Sequence, residues 1–150
     1  EDVGDAGDDP QDLEQPLPVA EVAVRTGLST TTWWRRIQTM EAQGVILGRV
    51  ALLDRSALGL DVTIFAHVKL STQGRDAIAA FAEAIRERPE VLDCYTTMGE
   101  WDFMLRIVTK DIKAYEAFYL DHLSKLPYVQ SINSSVTVTV IKETTVLPIE

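Results

Sequence analysis

What most constrains this chain is the stretch Tyr95-Thr-Thr-Met-Gly-Glu-Trp-Asp-Phe-Met-Leu105, two short extended runs closed on a glycine. Tyr95 to Met98 and Phe103 to Thr109 are rich in β-branched, aromatic and apolar residues, the composition of paired strands. Gly99 supplies the backbone freedom a tight turn needs, and Asp102 can hydrogen-bond nearby backbone groups. The loop sets two carboxylates, Glu100 and Asp102, beside the large aromatic Trp101. Taken alone, it reads as a solvated hairpin tip.

Its flanks extend the pattern. Upstream, Val62, Ile64, Ala66, Val68 and Leu70 alternate with Thr63, Phe65, His67 and Lys69, the period of a strand. After Gly74, the positions Ile78, Phe81, Ala82 and Ile85 form an apolar helical stripe that ends before Pro89. Downstream, Asp111 can cap a second helix bearing Ile112, Tyr115, Phe118, Tyr119, Leu123 and Leu126. A last strand is expected from about Tyr128 to Lys142, with Val136, Val138 and Val140 opposite Ser135, Thr137 and Thr139. The order β-α-β-β-α-β is the split, ferredoxin-like unit: four antiparallel strands with both helices on one face. The other face carries Phe65, His67 and further side chains too apolar to stay fully wet. A copy of the same sheet is the expected cover, so a homodimer is the minimum assembly.

Ahead of this unit, Pro18 to Arg25 reads as a short helix opened by proline, with Val19, Val22 and Ala23 on one face. Gly27 fits the left-handed position after it, and Ser29 can cap a second helix from about Thr30 to Ala42, ended by Gln43-Gly44. Helix, short Gly-containing turn and helix is the helix-turn-helix arrangement, whose second helix enters the major groove. Its N-terminal half offers Ser29, Thr30, Thr31, Thr32, Arg35, Arg36 and Gln38, the hydroxyl, guanidinium and amide groups that phosphates and base edges accept. An ordinary helical corner with a solvated basic face would show the same spacing. Trp33 and Trp34 cannot both pack inward, because adjacent helical positions are about 100° apart. Val45 to Leu53 reads as a strand-like wing. The expected organisation is an acidic, disordered leader over 1–16, a DNA reader over 17–53, a linker over 54–60 and a ligand-sensing, oligomerising unit over 61–150.

Charge sharpens the division. The net charge of -9 argues against nucleic acid only if it is evenly spread. Residues 1–16 hold seven acids and no base, whereas residues 17–55 set Arg25, Arg35, Arg36, Arg49 and Arg55 against Glu21, Glu41 and Asp54. Basic character is therefore concentrated in the helix-turn-helix stretch. The single cysteine, Cys94, excludes an internal disulfide and is expected as a small buried strand residue. No apolar run approaches the roughly 20 residues that span a bilayer. The expected setting is cytoplasmic, with no membrane partner. His67 and His122 form no recognised metal set with Cys94, and no phosphate-cradling or Ser/His/Asp signature is present. No catalytic residue, metal or tightly held cofactor is expected. His67 is read as an interface residue and His122 as lying on a helix surface or core edge.

Four stretches carry a family resemblance: Gly27-Leu-Ser-Thr-Thr-Thr-Trp-Trp-Arg-Arg-Ile37, Met40-Glu-Ala-Gln-Gly-Val-Ile46, Met98-Gly-Glu-Trp-Asp102 and Lys142-Glu-Thr-Thr-Val-Leu-Pro148. In this order they resemble the Lrp/AsnC (feast/famine) transcriptional regulators, over about Leu17 to Ile149. The resemblance implies an α+β chain: a winged helix-turn-helix, then a ferredoxin-like sensing unit that pairs through its sheet and builds tetramers or octamers. It implies double-stranded DNA as a partner, and a small effector, usually an amino acid, held between dimers beside the glycine-centred hairpin. Gly99 and Asp102 match the fixed points of the family's G-x-x-D loop, and Met98, Glu100 and Trp101 accompany them. Ser135, Thr137 and Thr139 fall on the segment that can face the same pocket. An amino acid needs acceptors for its ammonium, which Asp102 or Glu100 can offer, and donors for its carboxylate, which loop N–H groups or the hydroxyls can supply.

Relatives normally open with an amphipathic helix of the form Leu-Asp-x-x-Asp-x-x-Ile-Leu, and residues 1–16 contain nothing like it. That departure supports a second reading, a ligand-binding and co-assembly module with an impaired DNA reader. A third is enzymatic, since a branch similar to this family decarboxylates sirohaem-type tetrapyrroles. The regulator-like ending over residues 142–148 and the lack of a His/Arg catalytic cluster argue against it.

Overall fold

The computed structural model describes residues 19–149. The expected leader, the expected start at Pro18 and the question of a preceding helix lie outside those residues. The chain forms two compact units that divide between Leu52 and Leu53.

The first unit holds α1 (Val19–Thr26) and α2 (Thr30–Ala42). Gly27, at φ 66°, takes the left-handed conformation that lets Leu28 N–H reach back to the Ala23 carbonyl at 3.0 Å. Ser29 then caps α2, its hydroxyl accepting from Thr32 N–H at 3.2 Å. Ala23 is buried, and Val22, Leu28, Trp33, Ile37 and Met40 are half-buried. Trp33 is the inward tryptophan, its indole N–H donating to the Thr26 hydroxyl at 2.7 Å. Gly44, at φ 72°, ends the helix by turning the Val45 and Ile46 N–H groups onto the Met40 carbonyl. The expected wing strand is not formed: residues 45–53 are irregular, and Val45, Leu47 and Val50 are exposed. β-branched composition favours a strand only where another strand supplies the ladder.

In the second unit, β1 (Val62–Leu70), α3 (Arg75–Arg86), β2 (Val91–Thr96), β3 (Phe103–Thr109), α4 (Ile112–Asp121), a 3-10 turn (Leu123–Lys125) and β4 (Val129–Val136) follow the expected order. The sheet runs β2-β3-β1-β4 with every pair antiparallel. One face, including Ile64, Ala66, Val68, Leu105 and Ile107, is buried under Phe81, Ile85, Tyr115 and Phe118 of the two helices. Phe81 and Phe103 stack at 4.3 Å between centroids. Asp111 caps α4 by accepting from Ala114 N–H at 2.6 Å.

Three expectations need correction. The last strand stops at Val136 rather than Lys142. β1 begins at Val62, so after Thr137 N–H bonds the Thr63 carbonyl at 2.9 Å there is no further strand to pair with, and Val138 is 98% exposed. Thr137 and Thr139 therefore lie beyond the strand that was to present them. Cys94 is exposed rather than buried, because β2 is an edge strand, although partial burial still raises its thiol pKa.

Candidate nucleic-acid interface and effector hairpin

On α2 the half-buried Trp33, Ile37 and Met40 define the inner side. At about 100° per residue, Thr31, Arg35 and Gln38 then form the outermost stripe. Thr32 and Arg36 fall on one flank, and Thr30, Trp34 and Glu41 on the other. The candidates are thus not equivalent: Arg35 and Arg36 point some 100° apart. Ser29 and Thr32 are engaged with each other, their hydroxyl oxygens 2.9 Å apart across the cap. Arg35 and Arg36 are exposed and form no ion pair among the described residues. Trp34 is the outward tryptophan, 47% exposed, with the Arg49 guanidinium 5.6 Å from its ring centroid. Arg49 also donates to Glu41 at 2.8 Å. The sequence did not show that Arg49 returns to α2 and meets Trp34 and Glu41. Its only signal was membership of the local run of arginines.

The hairpin between β2 and β3 is held by internal bonds. Gly99 sits at φ 137°, a conformation closed to most L side chains. Asp102 accepts from Leu70 N–H at 2.8 Å through one carboxylate oxygen and from Gln73 Nε2 at 3.0 Å through the other. Its own N–H donates to the Val68 carbonyl at 3.0 Å. Thr97 Oγ1 donates to the Trp101 carbonyl at 2.6 Å, and Lys69 Nζ to the Glu100 carbonyl. The Trp101 ring lies 6.1 Å from that of His67, which stands on the sheet face away from the helices. Glu100 is exposed, and Met98 is almost wholly so.

Within one chain the candidate effector residues fall into two groups. The hairpin meets β1 at Val68 and Leu70, whereas Ser135 pairs with Phe65 and Thr137 bonds Thr63. Val68 and Thr63 are five residue steps apart along β1, about 17 Å at 3.3–3.4 Å per residue. Thr137 Oγ1 already donates to the Thr63 carbonyl at 3.0 Å. Thr139 is exposed beyond the sheet. A cleft of about 180 Å³ lies at that end, between Arg55, Thr63, Thr137 and Val138, with no hairpin residue on its wall. Nearby, Arg106 pairs with Asp93 and with Glu143 at 3.0 Å, and Glu143 also takes Arg55 at 2.6 Å. The two groups of candidates therefore stand at different points along β1 within one copy of the chain.

A helix-turn-helix unit joined to a βαββαβ unit defines a class of two-part regulators, and comparison with known proteins specifies it. The family models for the Lrp/AsnC ligand binding domain and the winged helix-turn-helix DNA-binding domain match residues 63–147 and 14–46. The latter stretch overlaps the expected leader at residues 14–16. The chain is 34% identical over 134 residues to the DNA-binding transcriptional activator DecR of Escherichia coli K12, covering 89% of this chain and 88% of that protein. Among solved structures, it is similar to an AsnC family transcriptional regulator from Agrobacterium tumefaciens (41% identity, TM-score 0.82, 89% of this chain and 86% of that one). It is also similar to a Neisseria meningitidis transcriptional regulator in complex with L-methionine (34% identity, TM-score 0.84, the same coverage). The chain belongs to the Lrp/AsnC family of transcriptional regulators. Its relatives are regulators and not enzymes, which sets aside the decarboxylase reading.

Proposed function

We propose that this chain binds double-stranded DNA through α2 in the cytoplasm, and that an amino-acid effector seated between copies beside the hairpin tunes its assembly or DNA affinity. The observation that carries this is the outermost stripe of α2, Thr31, Arg35 and Gln38, with Arg36 exposed beside it. These side chains suit bidentate guanine and adenine edges and phosphate oxygens. The L-methionine complex of the Neisseria relative supports an amino acid as the effector class. Glu100, exposed beside half-buried Trp101, favours an effector with a polar or cationic end. In this reading the chain forms homo-oligomers, and assembly through the open sheet face is the proposed route by which Ser135, Thr137 and Thr139 meet a neighbouring copy's hairpin.

A gel-shift titration against the chain's own upstream DNA, at two salt concentrations, tests this. Specific binding that weakens with salt is expected, because phosphate contacts release counterions. The double variant Arg35→Ala/Arg36→Ala should lose specific binding while remaining folded. Unchanged affinity in that variant would remove α2 as the reader. A folded, oligomeric parent that binds no DNA would favour the co-assembly reading instead.

A further inference from the structure

Arg49 lies outside α2, yet its head group is fixed to that helix by two independent contacts. The guanidinium sits 5.6 Å from the Trp34 ring centroid and donates through Nη2 to Glu41 at 2.8 Å. Trp34 and Glu41 are seven residues apart, two turns along one ridge, with Gln38 between them at i+4 and i+7 spacing. The Arg49 head therefore lies beside Gln38, at the margin of the outermost stripe. Its side chain is 56% exposed, and one bond to Glu41 leaves most of the five guanidinium donors free.

An exposed ion pair of this kind adds little to stability. Nor does the irregular segment carrying Arg49 have a ladder to fix it. What the two contacts do is orient a planar cation on an otherwise unanchored segment, next to residues that face outward. A guanidinium carbon 5.6 Å above an aromatic ring, bonded through a single nitrogen, keeps further N–H donors available for a phosphate.

We infer that Arg49 grips a DNA backbone phosphate at the edge of the α2 footprint, with Trp34 and Glu41 acting as positioning residues. This rests on the reading of α2 as the DNA-contacting helix. Phosphate contacts of this type fix register on the duplex and carry no base information. Glu41 shares the cation in the free protein and keeps the guanidinium plane fixed when phosphate replaces solvent on its open edge.

The test is the salt dependence of binding, measured with the full chain on its own upstream DNA and on a mixed-sequence duplex. Loss of one phosphate contact lowers the magnitude of the slope of log K against log salt by about 0.9. Arg49→Gln should show that drop on both duplexes, leaving sequence preference intact, and Arg49→Lys should restore most of the slope. Circular dichroism and thermal midpoints of the variants should match the parent. A purely structural role would weaken binding by the same factor at every salt concentration, and a slope unchanged in Arg49→Gln would overturn the inference while leaving the α2 reading standing. A parent protein that binds neither duplex would instead remove that reading, and this inference with it.

Discussion

Both oxygens of the Asp102 carboxylate are engaged inside the chain, one by Leu70 N–H and the other by Gln73 Nε2. An ionised carboxylate has about four lone-pair sites, so these bonds leave room for a ligand ammonium. Structural and binding roles can therefore coexist in one residue, and two substitutions separate them. Asp102→Ala strands the part-buried Leu70 N–H and should cost about 1–3 kcal/mol in urea denaturation. Asp102→Asn keeps an acceptor for that N–H and should unfold close to the parent, yet lose the effector's influence on DNA affinity. A loss within about 0.5 kcal/mol for Asp102→Ala, the range of an ordinary surface change, would show that the hairpin does not depend on this anchor. The sequence marked Asp102 as both turn former and candidate acceptor. It could not show which backbone donors the carboxylate meets, because Leu70 and Gln73 lie roughly thirty residues away and reach it only through the β1–β3 pairing.

Elements were legible where pattern and partner coincided. Ile64, Ala66, Val68 and Leu70 are all buried, as their alternation requires, because β1 is central and has neighbours on both sides. The same alternation at Val136, Val138 and Val140 outruns its partner after Thr137, and the composition of residues 45–53 meets no partner strand among the described residues. Side-chain pattern reports what a strand would bury. It does not report whether a second strand is within reach, which is a property of topology. For α3 the stripe was sufficient, since a helix satisfies its own backbone and needs only a face to cover. Phe81, fully buried and stacked on Phe103, should be its main anchor. Phe81→Ala is expected to lose about 3–5 kcal/mol of unfolding free energy, with Phe81→Leu losing clearly less. Equal losses would show that ring stacking with Phe103 matters more than the filled volume.

At the scale of the whole molecule, the sheet has one face covered by helices and one that the chain itself leaves half-covered. Phe65, His67 and Met104 lie there, half-buried, and Phe65 sits opposite Arg106 on β3 and Ser135 on β4. Apolar side chains on a central strand gain little from partial wetting, and a second sheet laid against them would remove their remaining surface from water. If that is how copies pair, unfolding should be linked to association, and the urea midpoint of the parent should rise with protein concentration. Phe65→Asp tests the face directly. The new carboxylate would have Arg106 as a neighbour, so the isolated chain should still fold, but pairing would bury charge on both copies. Sedimentation should then show a smaller species with a concentration-independent midpoint. DNA affinity should fall by more than the change of a residue remote from α2 would otherwise cause, because each assembly would present one reader instead of two and lose the avidity of a double site. If Phe65→Asp sediments like the parent, the pairing surface lies elsewhere. The two groups of candidate effector residues would then have to be brought together by a different contact.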